Sequence, residues 1–265
     1  MRRNNVVWAV ILILVGALLM LNNMGIIQIN VWGLIWPLIL ISIGVSILWG
    51  VFFGGRSIET MEAAIPLQGA AQAHIHVKHG AGRLCVDSNT GLDELLAGTF
   101  RGGMERRVKL DGDTLNVELY MPPTTFPPIV FPGSGSTLDW TFGLNGDIPL
   151  TLQFDTGAAE AQLDLSDLRV TDLKVQTGAS STNLTTPANA GHTRAKIDSG
   201  AASVNVQVPS GVAARIRTGG GLTSVNVDRE RFPREGSVYQ SPDYDTAENK
   251  LDLKITTGVG SINVH

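Results

Sequence analysis

The stretch LTLQFDTGAAEAQLD, from Leu150 to Asp164, carries the pattern that decides the fold. Apolar residues alternate with polar ones before Gly157 (Leu152, Phe154) and again after it (Ala161, Leu163). Alternation with period two on both sides of a glycine reads as strand, tight turn, strand. Five further copies line up on their glycines: HIHVKHGAGRLCVD on Gly80, LKVQTGASSTNLT on Gly178, RAKIDSGAASVNVQV on Gly200, ARIRTGGGLTSVNVD on Gly221 and LDLKITTGVGSINVH on Gly258. The fourth and sixth places after the glycine are mostly apolar, from Leu84 and Val86 to Ile262 and Val264. In the Gly221 copy the preceding apolar pair, Ala214 and Ile216, counts from Gly219, which puts extra residues in that turn.

Glycine is expected at each turn because a positive φ there carries no Cβ penalty. Small neighbours (Gly82, Ala159, Ser180, Ala202, Gly260) would let stacked turns approach one another. The central glycines are 21, 22 and 21 residues apart, the size of one solenoid coil. One such unit cannot bury its apolar face alone, so successive units must stack into a continuous core. Gaps of 77 and 37 residues separate the outer copies. The expectation is an all-β domain over 71–265, a β-solenoid of strand–Gly turn–strand repeats with insertions at about 88–149 and 229–250.

The outward places of the repeat are polar. The last four copies carry Ser181, Ser203, Ser224 and Ser261 three places after the glycine, and Asn183, Asn205, Asn226 and Asn263 five places after it. Such a strip reads either as a recognition surface or as side-chain ladders between coils, and stacked Asn favours the ladder.

The front of the chain follows different rules. From Met1 to Gly55 there is no Asp or Glu, and Arg2 and Arg3 are the only basic side chains. Val6–Leu21 and Val31–Phe53 are apolar runs of membrane-spanning character, joined by the uncharged loop Asn22–Asn30. A cleaved signal peptide fits less well, because no small-residue cleavage site follows and a second apolar run comes at once. A transmembrane α-helical hairpin over 1–55 is expected, then a linker over 56–70. Arg2, Arg3 and Arg56 flank the hairpin while its loop has no basic residue, so both termini and the β domain are expected in the cytoplasm. Trp8 and Trp49 would mark one interface, Trp32 and Trp36 the other. Ser42, Ser46, Gly50 and Gly54 recur every four residues, either as a face for another helix, from this chain or a separate membrane protein, or as ordinary membrane-helix composition.

Beyond Gly55 there are 18 basic and 24 acidic residues, a net −6 with no basic run, which argues against nucleic acid. Cys85, the single cysteine, excludes an intramolecular disulfide framework and a multi-cysteine metal site. Within the first insertion, Leu95–Phe100, Val108–Leu110 and Leu115–Met121 read as strands, with Asp111-Gly112-Asp113 as a hairpin turn and a long irregular loop over Pro122–Thr137. His74, His76 and His79 share one segment but alternate with inward Ile75 and Val77, so they should face solvent rather than hold a metal. Asp243, Asp245 and Glu248 lack the spacing of a calcium loop. Gly219-Gly220-Gly221 is followed by no Lys and no helix, so it is no phosphate cradle, and no nucleophile elbow or zinc-protease motif is present. Neither catalytic residues nor a cofactor are expected.

The segment RRNNVVWAVILILVGALLMLNNMGI…WGLIWPLILISIGVSIL resembles the transmembrane module of the LiaI/LiaF-like bacterial envelope proteins. The repeats, with WTFGLNGDIPLTLQFDTGAA and FPREGSVYQSPDYDTAENKLDLKITTGVGSINV, resemble a toastrack-type domain, also described as a cell-wall-active antibiotic-response domain. The resemblance implies a β-solenoid-like domain and a role in sensing or regulating envelope stress through a membrane partner such as a sensor kinase. It brings no catalytic residues. The competing expectation is a surface-displayed ligand-binding or adhesive domain, which requires the opposite topology.

Overall fold

A computed structural model describes residues 60–122 and 138–265, together with Trp36, Pro37, Leu40, Ile41 and Gly44, which are helical. The chain divides into two units, Met1–Ser57 and Ile58–His265. Among the described residues no helix is long and apolar enough to cross a membrane. Apart from those five residues, the hairpin expected over 1–55, with Ser42, Ser46, Gly50 and Gly54, lies outside the described residues, as does most of the loop over 122–137.

Among the described residues the second unit is built from thirteen strands. In chain order they are β1 (Thr60–Pro66), β2 (Gln72–Asp87), β3 (Glu94–Arg101), β4 (Glu105–Asp111), β5 (Thr114–Tyr120), β6 (Trp140–Leu144), β7 (Leu150–Asp164), β8 (Val170–Thr185), β9 (His192–Gln207), β10 (Ala213–Val227), β11 (Arg234–Glu235), β12 (Val238–Gln240) and β13 (Lys250–Val264). Five of them, β2, β7, β8, β9 and β13, are long strands with the repeat glycine at their middle, and β10 is a sixth. They pair in parallel, residue for residue, as with Phe154 on Val175 and Leu163 on Leu184.

Each long strand folds about its glycine without leaving the sheet. In β7 the buried places are Leu150, Leu152, Phe154 and Thr156 before Gly157, then Ala159, Ala161 and Leu163 after it. The step from Thr156 to Ala159 is three residues instead of two, with Gly157 and Ala158 both outward. A side chain alternates faces at every residue, so a three-residue step turns the inner face through a corner. Two half-sheets result, and their inner rows merge into one apolar core running from Ile65 to Val264.

The glycines are needed for a reason other than the one the sequence suggests. None of the six repeat glycines is among the residues with positive φ. What they permit is close approach between corners. A Cβ on Gly157 would lie 2.4 Å from the carbonyl oxygen of Gly80, and one on Gly178, Gly200, Gly258 or Gly221 would lie 2.6–2.9 Å from the glycine carbonyl of the neighbouring coil. Left-handed backbone occurs two places further on, at Gly82 and Gly260.

The coils are not stacked in chain order. β5 pairs with the first half of β2, and β6 with its second half, so these two short strands form one coil that is split at its corner. β2 separates this split coil from β7, which follows it in the chain. At the other end β13 inserts between β9 and β10. Numbered along the chain, the seven coils stand in the order 2-1-3-4-5-7-6. The expectation that successive units stack fails at two steps only: β2 stands between the split coil and β7, and β13 between β9 and β10. Nor does the Gly221 copy hold extra residues: Ile216 faces Leu253 and Leu222 faces Val259 in the common register, with Thr218 at the usually apolar place beside Ile255.

The remaining strands cover ends. β4 and β5 form the expected hairpin, closed by Gly112 and Asp113, on the first half-sheet. β3 pairs with β6 and β1 with β3, extending the second half-sheet. β1 therefore occupies the stretch read as a linker over 56–70. Trp140, Phe100 and Phe142 fill this end, with Trp140 meeting Phe100 edge to face at 5.2 Å. At the opposite end β12 and β11 cap only the first half of β10.

Candidate interaction surfaces

Four places on the rack carry polar or exposed groups that the core does not account for. The first is the corner of β2. His76 Nε2 lies 2.5 Å from an Asp155 carboxylate oxygen, and His74 is exposed. His79 differs from both and from the expectation that it faces solvent: it is 1% exposed. It occupies the inward place just before the glycine, which is Thr156, Thr177 and Thr257 in other coils, all buried. Its Nε2 lies 3.0 Å from the Leu138 carbonyl, which can only accept, so Nε2 carries the proton. Its ring packs on Trp140 at 5.2 Å, and burial pushes its pKa below the usual value despite that carbonyl and Asp139. The three histidines do not converge, and among the described residues no group of three metal-ligating side chains forms.

The second place is the outer face of the second half-sheet. Asn263 Nδ2 donates to Asn205 Oδ1 at 2.8 Å, and Asn205 Nδ2 donates to Asn183 Oδ1 at 2.9 Å. Ser261 Oγ donates to Ser203 Oγ at 3.1 Å. In-register parallel stacking brings identical side chains one strand spacing apart, about 4.8 Å, which suits such ladders. The strip thus ladders over Asn183, Asn205 and Asn263 and over Ser203 and Ser261.

The third place went unnoticed in the sequence although the repeat contains it. Four residues before the glycine, the last four copies read Lys174, Lys196, Arg217 and Lys254. The register sets them side by side on the outer face of the first half-sheet, in the order Lys174, Lys196, Lys254, Arg217. Flanking rows hold carboxylates already engaged: Asp172 with Arg194 at 3.2 Å, Asp198 with Lys196 at 2.6 Å, and Asp252 with Arg215 at 3.9 Å. Among the described residues Lys174, Lys254 and Arg217 have no ion-pair partner. Aligning only the apolar places hid this row.

The fourth place is the free end. From Leu222 to Val227, β10 pairs with β13 on one side and with no strand on the other among the described residues. Val225 holds an inward place and was expected in the core, but the last coil has no described strand beyond it, so Val225 is 38% exposed; Leu222 and Val259 sit at the outward corner place just after the glycine and are 80% and 54% exposed. The 229–250 insertion does not reach this edge. Its Tyr239, Tyr244 and Phe232 are buried, and Arg215 stacks on the Tyr244 ring at 4.1 Å. Burial and a hydrogen bond to Asp252 push the Tyr244 hydroxyl up to about 12. Burial alone would raise the Asp252 carboxyl, but hydrogen bonds from His192 and Tyr244 hold it below the usual range. Of the faint calcium set, Asp245 instead faces Arg215 at 3.6 Å.

These features define a class: a rack of stacked parallel β coils, closed at one end and partly open at the other, with laddered outer faces. The chain belongs to the toast_rack family, since residues 54–207 match the family described as N-terminal domain of toast_rack, DUF2154. Residues 6–48 match the LiaI-LiaF-like transmembrane region, so the chain is membrane-associated. No curated protein matches the chain. A crystal structure of a candidate cell adhesion protein from Clostridium sporogenes is similar in fold, with a TM-score of 0.69 at 21% identity, covering 78% of this chain and 98% of that one.

Proposed function

We propose that this chain is a membrane-anchored, non-enzymatic scaffold or regulator, acting in the response to cell-envelope stress through a membrane protein partner. One combination carries the reading: a LiaI-LiaF-like transmembrane region and a rack whose last coil, among the described residues, has one edge of Leu222–Val227 free are parts of one chain. Unpaired N–H and C=O groups along a strand edge are a template for a strand from another protein, and flanking apolar side chains set its register. A two-helix hairpin with both termini in the cytoplasm would place the rack beside a partner's cytoplasmic signalling domains. Ser42, Ser46, Gly50 and Gly54 would supply a second contact inside the bilayer.

Deleting the gene should alter the transcriptional response to cell-wall antibiotics; an unchanged response would sink the regulatory reading. Charged replacements on the edge (Leu222→Lys, Val225→Lys) and bulky ones in the span (Ser46→Leu, Gly50→Leu) should each weaken cross-linking to the partner. The alternative, a surface-displayed adhesive or ligand-binding domain, draws support from the adhesion name of the structural neighbour. A reporter fused after His265 separates the two, because only the alternative puts that terminus outside the cell.

A further inference from the structure

We infer that the basic row Lys174–Lys196–Lys254–Arg217 is a docking face for the anionic lipid surface of the membrane in which the chain is anchored. Four cationic side chains stand on four adjacent strands, β8, β9, β13 and β10, at one strand spacing, so the row is about 14 Å long. Like charges directly opposite one another across a ladder repel, and among the described residues three of these four have no ion-pair partner to offset the repulsion. Lys196, Lys254 and Arg217 are exposed and Lys174 is half-buried. The face has seven basic groups (adding Arg194, Arg215 and Lys250) against four acidic ones (Asp172, Asp198, Asp252 and Asp245), all four already paired, in a region of the chain that is acidic overall.

That contrast selects the partner. A long polyanion such as nucleic acid would meet the acidic remainder of the domain as well as the row. A bilayer surface acts only within a Debye length, about 8 Å at physiological salt, so it registers the face turned toward it. The transmembrane match ends at residue 48 and β1 begins at Thr60, leaving eleven residues between them. Even fully extended, those residues reach no more than about 40 Å, which keeps the rack at high effective concentration near the headgroups. Each basic side chain near an anionic surface is worth about fivefold in partitioning. The inference requires the transmembrane anchor but not the partner proposed above.

The test uses the full chain in nanodiscs of phosphatidylcholine, with or without phosphatidylglycerol, containing a headgroup-quencher lipid. In a Cys85→Ser background, one fluorophore is placed through Gln176→Cys, beside the row, and another through Gln162→Cys, on the other half-sheet. Phosphatidylglycerol should increase quenching of the Gln176 probe severalfold and leave the Gln162 probe unchanged. High salt should reverse the effect, and each of Lys174→Gln, Lys254→Gln and Arg217→Gln should weaken it about fivefold. These side chains project from the surface, and an unchanged far-ultraviolet spectrum checks that the rack is folded. Equal quenching in the two lipid compositions, or equal gain at both probes, overturns the proposal. Reversal of the effect by millimolar soluble glycerophosphate at constant ionic strength would also overturn it, by revealing a free-anion site.

Discussion

Gly157 sits so close beneath Gly80 that a Cβ on it would be 2.4 Å from the Gly80 carbonyl oxygen. That oxygen is backbone, held in a corner whose neighbours on both sides are paired with β7, so it cannot yield cheaply. The same relation runs through the central corners of the rack. Gly157→Ala should therefore destabilise the rack by about 1–3 kcal/mol, the usual cost of overpacking. Gly211→Ala is the control: a Cβ there meets nothing within 4 Å and its φ is not positive. It should be neutral or stabilise by up to about 1 kcal/mol. Thermal unfolding of both variants by circular dichroism gives the comparison.

His79 should make the rack sensitive to mild acid. Burial lowers its pKa, so it is neutral in the fold, while an unfolded chain takes up a proton below the ordinary value of 6.5. Its contribution is fully present above that value and is lost as pH falls below it, because the unfolded state then binds more protons. The unfolding midpoint should drop between about pH 7 and pH 5, and His79→Phe should flatten that dependence. A wild-type midpoint that does not move over this range would contradict the burial argument.

At the other end of the scale, Tyr244 has an ordinary value of 10.0 that the fold pushes up to about 12. Here the folded state retains its proton while the unfolded state loses it, so stability falls as pH rises through this window. The loss is roughly 3 kcal/mol at most, shared between desolvation and the Asp252 hydrogen bond. Tyr244→Phe should be less stable at neutral pH and should lose the alkaline slope.

The asparagine ladder should be worth most at its centre. Asn205 donates to Asn183 and accepts from Asn263, whereas Asn226, one strand beyond Asn263, makes no such bond. Asn205→Ala should cost about 1–2 kcal/mol, two modest hydrogen bonds. Asn226→Ala should stay within about 0.5 kcal/mol. Equal effects in urea titrations would mean that the ladder contributes little.

Much of the domain was legible because its signals are local. Leu152, Phe154, Ala161 and Leu163 announce an inner face by alternation, and the ladders follow once identical repeats stack in register. The basic row was equally available at a constant distance from each glycine and was missed because the apolar places were aligned alone. His79 misled because its inward place holds a polar residue in most coils, so its type did not reveal its burial.

The sequence by itself determined the strand halves, their inner faces and the repeat unit, since parity along a strand is set by the backbone within a few residues. Only the tertiary structure decided which coil touches which. A parallel ladder forms equally well between any two repeats in register, so the 2-1-3-4-5-7-6 order depends on how the chain outside the repeats closes around the stack. That order leaves Leu222 and Val225 at a free edge, brings Lys254 between Lys196 and Arg217, and sets Gly157 beneath Gly80.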